Sequence, residues 1–259
     1  MKLAINVIAF MICAIVLVMG QQHWKEKLSA HANNEEADET AQMGEEKQEK
    51  DIGMYTKGLP SFLAETIHQA ADTKKPIRFV VVESGSEAPA EVSWADKLGQ
   101  NLENTYGKEM FHVQIQSYPG QTTADLDAGK VTEKLSALQP DIILLEAPMI
   151  YDNGLVGIYN TFSHLTNIIE QLKKEHPKLI LMLQPPNPIY GAEVYPREVA
   201  ELKNFAQEKG IYYIDHWQAW PAVNSPDLLK YLKEDRRFPN EKGHELWAKT
   251  IARTFIHLP

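Results

Sequence analysis

The chain holds a single cysteine, Cys13, and that residue lies inside an N-terminal apolar run. No disulfide, cysteine-based zinc cluster or catalytic thiol in a folded domain can therefore be built within one chain. No stretch gathers Lys and Arg into a patch able to neutralise phosphates, and the formal net charge is -9, which excludes a nucleic-acid partner. There is no Gly-x-x-x-x-Gly-Lys phosphate loop, no acid pair set for glycoside chemistry, and the nine histidines are scattered rather than clustered, so no cofactor or metal is expected. Long apolar runs are also scarce: only Leu3 to Gly20, interrupted by Asn6 and preceded by Lys2, is long enough to engage a membrane. It reads as an export or anchoring signal, near the ~18 to 20 residues a bilayer needs. Retention as an anchor is favoured over cleavage after Gly20, because a small-x-small site is missing. The alternative is a secreted form.

What is present begins with a change of composition. Residues 21–58 hold nine acids between Glu26 and Asp51 and show no sustained apolar periodicity, which describes an acidic, disordered tether. From Leu59 to Pro259 the pattern becomes that of one domain, and the 44% apolar content of the whole chain suffices for a core. Five segments read as strands: residues 77–83, 110–115, 141–147, 179–184 and 211–215. The first, third and fourth are almost continuously apolar, as strands buried on both faces must be. Helical patterns lie between them, over Trp94 to Tyr106, over Thr123 to Leu138, and around Leu165, Ile168, Ile169 and Leu172. Strand and helix in alternation imply right-handed crossovers and a parallel five-stranded sheet between two helical layers, a three-layer α/β/α fold of flavodoxin-like type. Ligands of such sheets bind beyond the carboxyl ends of the strands.

Those ends carry the chemistry-bearing residues. After the first strand comes Ser84-Gly85-Ser86, a small turn able to expose a serine, with Ser86 the first candidate nucleophile and Ser84 the second. After the second comes "SYPGQTTADL", where Gly120 permits a tight turn and can offer its N–H to an oxyanion, and a threonine can cap the next helix. After the third comes "LLEAPMIYDNG", whose Tyr151, Asp152 and Asn153 supply further donors or an Asx turn. After the fourth, "QPPNPIYGAEVYP" reads as a stiff cleft wall with Tyr190 and Tyr195 offering faces to a sugar or acyl chain. The last segment, "KEDRRFPNEKGHELWAKTI", places Asn240 as N-cap of a helix with His244, Trp247, Ile251 and Phe255 on one face.

Taken in order, these blocks resemble the SGNH, or GDSL-like, serine esterases and lipases over residues 77 to 255. Ser84-Gly85-Ser86-Glu87 is similar to the Gly-Asp-Ser-Leu block. "PGQTTADL" resembles the glycine block. "MIYDN" resembles Gly-x-Asn-Asp with Tyr151 where the asparagine is expected and Asn153 one residue late. Asp235, Phe238, Pro239, Asn240, Gly243 and His244 resemble the closing Asp-x-x-His block with its Pro-Asn and Gly-His. The resemblance implies an esterase or deacylase working through an acyl-serine. Ser86 would be the nucleophile, Asp235 the residue that orients the base, and Gly120 with Tyr151 or Asn153 the oxyanion donors. Its substrate would be a small-molecule, lipid or carbohydrate ester, and the membrane would be reached through the N-terminal segment. The base position, however, is Phe238. Three readings follow from the residues: His244 serves as base, His216 from "IDHWQAW" reaches in, or the site binds an ester or envelope carbohydrate without turning it over.

Overall fold

The computed structural model describes residues 52–84 and 92–257. Ser86 and the N-terminal segment read as an anchor and tether thus lie outside the described residues, apart from residues 52–58. Among the described residues no helix is long and apolar enough to cross a membrane.

Five parallel strands form one sheet: β1 (Ile77–Glu83), β2 (Phe111–Ser117), β3 (Ile142–Glu146), β4 (Ile180–Gln184) and β5 (Tyr212–Tyr213), in the order β2-β1-β3-β4-β5. The expected architecture is therefore the observed one. Strand side chains alternate between two cores. Ile77, Phe79 and Val81 of β1, with Ile142, Leu144 and Met182, pack against α1 (Ser61–Thr73), α2 (Trp94–Tyr106) and α8 (Glu241–Phe255). Val80 and Val82, with Ile143, Leu145, Leu181 and Leu183, face α3 (Thr123–Ala128), α4 (Val131–Ala137), α6 (Ile158–Glu175) and α7 (Tyr195–Glu208). The period of two along each strand makes both faces apolar, and each layer of helices covers one of them. A further short helix, α5 (Met149–Asp152), follows β3.

Three local outcomes differ from the sequence pattern. The helix expected over Thr123 to Leu138 is two helices, α3 and α4, because Gly129 closes the first with its N–H on the Asp125 carbonyl at 2.7 Å and Lys130 turns left-handed, φ 54°. Apolar periodicity continues across the break and hides it. Tyr195 is not a cleft face: it starts α7, is 2% exposed, and donates its hydroxyl to the Asn187 carbonyl at 3.3 Å. The folded unit begins at Ile52, where Ile52 and Thr56 are already buried, seven residues before the apolar pattern at Leu59.

The last loop and α8 are held by Asn240 and Gly243. Asn240 caps the helix by accepting from the Gly243 N–H at 3.1 Å, and its amide donates to the Lys230 and Leu232 carbonyls, both at 3.0 Å. A Cβ on Gly243 would stand 2.2 Å from the Tyr231 carbonyl oxygen and 2.8 Å from Pro239 Cβ, so the helix start and the loop meet there only because the residue is glycine. Gly243→Ala is accordingly expected to cost about 3 kcal/mol, measured by denaturant unfolding; a loss below about 0.5 kcal/mol would show that the loop gives way freely.

Candidate active site

The sheet's topological switch lies between β1 and β3, and the crevice beyond their carboxyl ends is where such folds bind ligands. All three inner strands end there in a buried polar residue after an apolar run: Glu83 on β1, Glu146 on β3 and Gln184 on β4. Polar groups in such places must find partners or carry a penalty. Glu146 shares a hydrogen bond between its Oε1 and Ser84 Oγ, and its Oε2 accepts from the Trp94 indole N–H at 3.3 Å. Gln184 Oε1 accepts from the Trp247 indole at 2.9 Å. Glu83 Oε2 and the Gln184 amide nitrogen have no partner among the described residues.

Burial pushes the Glu146 carboxyl up to about 8, with the charge of Glu83 adding to the rise and the Ser84 bond opposing it. Burial likewise raises Glu83, against hydrogen bonds from Ser93 and Ser117. Two carboxyls desolvated together cannot both ionise cheaply, so at neutral pH Glu146 is largely the neutral acid. The Ser84 hydroxyl donates to Oε1.

Both histidines considered as bases belong to the layer beneath this crevice. His216 is fully buried; its Nε2 donates to the Pro185 carbonyl at 2.9 Å and its Nδ1 accepts from the Trp220 indole at 3.0 Å. Its ring stacks on Trp247 at 4.6 Å, and burial pushes it down to about 4. Each nitrogen is thus committed, and His216 is a structural residue. His244 accepts the backbone N–H of Trp94 at Nδ1, 3.1 Å. That N–H is one of the orphan donors of the first turn of α2, whose N-cap Ser93 forms a reciprocal box with Asp96. Burial, helped by Lys233 and Lys97, pushes His244 down to about 4. With Nδ1 accepting, neutral His244 carries its proton on Nε2, which cannot then accept another. His244 caps a helix and, in this tautomer, is not a base.

The remaining candidates are placed as follows. Gly120, φ 77°, follows Pro119 in a turn closed by Gln121 N–H to the Tyr118 carbonyl at 3.3 Å, the type II pattern that demands glycine at its third position. The turn stands beside the end of β1, since Tyr118 N–H donates to the Glu83 carbonyl at 2.9 Å. Asp152 is buried and binds Thr123 through N–H (2.8 Å) and hydroxyl (2.6 Å) and Thr161 through its hydroxyl (2.6 Å), tying the second loop to the third. Asn153, considered as an oxyanion donor, instead gives its amide to Glu198 at 2.7 Å, on an exposed flank. Asp235 turns its Oδ1 into its own loop, accepting from Arg237 N–H (2.8 Å) and Phe238 N–H (3.1 Å).

Phe238 and Tyr151, the residues standing where the resemblance implies a histidine and an asparagine, pack together with ring centroids 6.1 Å apart. The Arg237 guanidinium lies 5.7 Å over Tyr151 and 5.3 Å over Phe238, and its Nη2 donates to the Ile150 carbonyl at 2.8 Å. At these two positions an aromatic pair lies under one cation. The sequence reading overlooked Glu146, Gln184 and Arg237. For the first two a signal existed: a polar residue closing an otherwise apolar strand.

No protein-family model matches the chain, and no curated protein matches it. Solved structures do, over the described domain. An acetylxylan esterase from Geobacillus stearothermophilus is 18% identical with a TM-score of 0.57, the match covering 70% of this chain and 94% of that one. A lipase/acylhydrolase from Enterococcus faecalis is 20% identical with a TM-score of 0.55, covering 68% and 94%. The fold is therefore that of the SGNH hydrolases.

The raised Glu146 sets a test of the buried network. An acid whose folded pKa lies above its unfolded value favours folding below the unfolded value, near pH 4.5, and loses that contribution as pH rises through about 8. Glu146→Gln keeps the shape and cannot ionise. Its stability relative to the wild type should therefore rise steadily between pH 5 and pH 9 in urea unfolding, and a flat difference would mean that Glu146 ionises in the folded state as readily as in the unfolded chain.

Proposed function

We propose that this chain is an SGNH-type esterase or deacylase acting on esters of envelope carbohydrate or lipid outside the cytoplasmic membrane, through an acyl-Ser86 intermediate and without an imidazole base. The observation that carries the reading is the junction of the end of β1, from which the Ser84-Gly85-Ser86 sequence continues, with the Pro119-Gly120 turn after β2, closed by the Tyr118 to Glu83 bond. In this reading the Ser86 oxygen adds to the ester carbonyl as its proton passes to solvent, the oxyanion is met by the Gly120 N–H, and collapse breaks the acyl carbon–alkoxy oxygen bond, the leaving oxygen taking a proton from solvent to depart as the alcohol. Water then hydrolyses the acyl-serine and releases the acid. Activity without a base is slow but real, because oxyanion stabilisation and binding alone retain roughly 10³ to 10⁴-fold over water in a serine hydrolase lacking a triad member. The structural neighbours, an acetylxylan esterase and a lipase/acylhydrolase, support an ester substrate. The apolar run from Leu3 to Gly20 supports the extracytoplasmic placement.

A second reading, ester binding without turnover, is favoured by the Tyr151-Phe238 contact, which fills the base position with a packed ring. A fluorophosphonate probe separates the two: it should label the wild type slowly and leave Ser86→Ala unlabelled. In Phe238→His, Asp235 stands three residues before the new imidazole, and p-nitrophenyl acetate hydrolysis should rise about 10²-fold or more, the usual contribution of a general base. No labelling of the wild type together with no gain in Phe238→His would decide for binding alone.

A further inference from the structure

We infer that the site selects esters bearing a negative charge, with Arg237 as the group that receives it; this rests on the proposed ester-binding role of the same crevice. The chain is acidic overall, yet the loop before α8 presents Arg236 and Arg237 in succession, both exposed. Neither has a carboxylate partner among the described ion pairs, although Asp235 is adjacent. The reason is geometric: Asp235 Oδ1 is engaged by the backbone N–H groups of residues 237 and 238. Arg237 is held rather than free. Its backbone carbonyl accepts from the Asn187 amide at 2.7 Å, its Nη2 reaches the Ile150 carbonyl, and its plane lies over the rings of Tyr151 and Phe238. Arg236 stands over Tyr190 at 5.9 Å and adopts a left-handed backbone, φ 59°, a conformation unfavourable for a residue with a Cβ.

One face of the Arg237 fork is thus fixed to the loop after β3, while its remaining N–H groups have no protein acceptor among the described residues. A guanidinium pre-oriented in this way loses little freedom when it binds a carboxylate or phosphate and forms charge-assisted bonds. Its position is the decisive point. It lies over the two aromatic residues that replace the polar pair of the resembling family, so the group that lost its base and its amide gained a fixed cation at the same corner. An ester carrying a carboxylate or a phosphate near its acyl group would place that charge on Arg237 and its carbonyl toward the Gly120 turn.

Monomethyl succinate and methyl butyrate are nearly the same size and differ in one carboxylate, which makes them the probes of choice. Titrated into the full chain and followed by ligand-observed NMR, the anionic ester should bind about tenfold more tightly, the scale of a single charge-assisted contact. The preference should shrink in high salt. It should fall to near parity in Arg237→Gln and survive in part in Arg237→Lys, which keeps the charge without the fork. Equal affinity for the two esters in the wild type, or an undiminished preference in a folded Arg237→Gln, would overturn the inference. Should Arg237→Gln fail to fold, the same comparison in Arg237→Lys decides: a preference as large as in the wild type, fork lost, would overturn it. Fluorophosphonate labelling reports separately. Labelling without anion preference sinks this inference alone, whereas anion preference without labelling sinks only the turnover reading.

Discussion

Everything at the carboxyl edge of the sheet depends on one stacked column. Trp94 and Trp247 lie face to face at 4.9 Å, 16° from parallel, and His216 continues the stack on the far side of Trp247 at 4.6 Å. Each indole turns its N–H to a polar strand end, Trp94 to Glu146 and Trp247 to Gln184, so the column joins α2 and α8 to β3 and β4 while satisfying the polar atoms it buries. Trp220 closes the lower end with a bond to His216. Aromatic stacking adds about 1 kcal/mol per pair beyond area, but the larger effect is the avoided cost of unpartnered amide and carboxyl groups.

This column explains why the two histidines are unavailable for catalysis. His216 is its terminal ring and has both nitrogens occupied. His244 sits one turn before Trp247 on α8 and meets the first N–H of α2, so it fastens the same two helices by a different bond. Low pKa values near 4 follow from burial in both cases. A histidine with such a value is neutral across physiological pH, yet neutrality is not sufficient for a base: the accepting nitrogen must also be free and face the reacting atoms.

Tyr151 and Phe238, at the two positions where the resemblance implies polar groups, form a single contact. Tyr151 lies on α5 and Phe238 in the loop before α8, 87 positions apart as are Ile150 and Arg237, and the Arg237 bond to the Ile150 carbonyl ties the two segments together. A lone phenylalanine at the base position would leave an apolar ring facing an amide, and a lone tyrosine at the amide position would face an imidazole. Together they pack, and the cation above them takes the exposed side. Around them, Asp152 joins the second and third loops through Thr123, and Asn240 caps α8.

The two-faced burial of β1, β3 and β4, the Trp94–Tyr106 helix and the Asn240 cap were all legible in the amino-acid order, because periodicity and capping are local and repeat along the chain. The break at Gly129 and Lys130 was not, since apolar spacing runs through it while the backbone alone changes hand. Asp235 could be assigned as an orienting residue from its place before Phe238, but its carboxylate serves its own loop. Whether His216 and His244 accept protons depended on which donors reach their nitrogens, and those donors lie on Trp220 and on Trp94, the latter 150 positions away. Sequence thus determined the scaffold and the residue types at each strand end, whereas the protonation of Glu146, the tautomer of His244 and the meeting of Tyr151 with Phe238 were decided by tertiary structure, because each is a property of neighbours that the chain brings together only on folding.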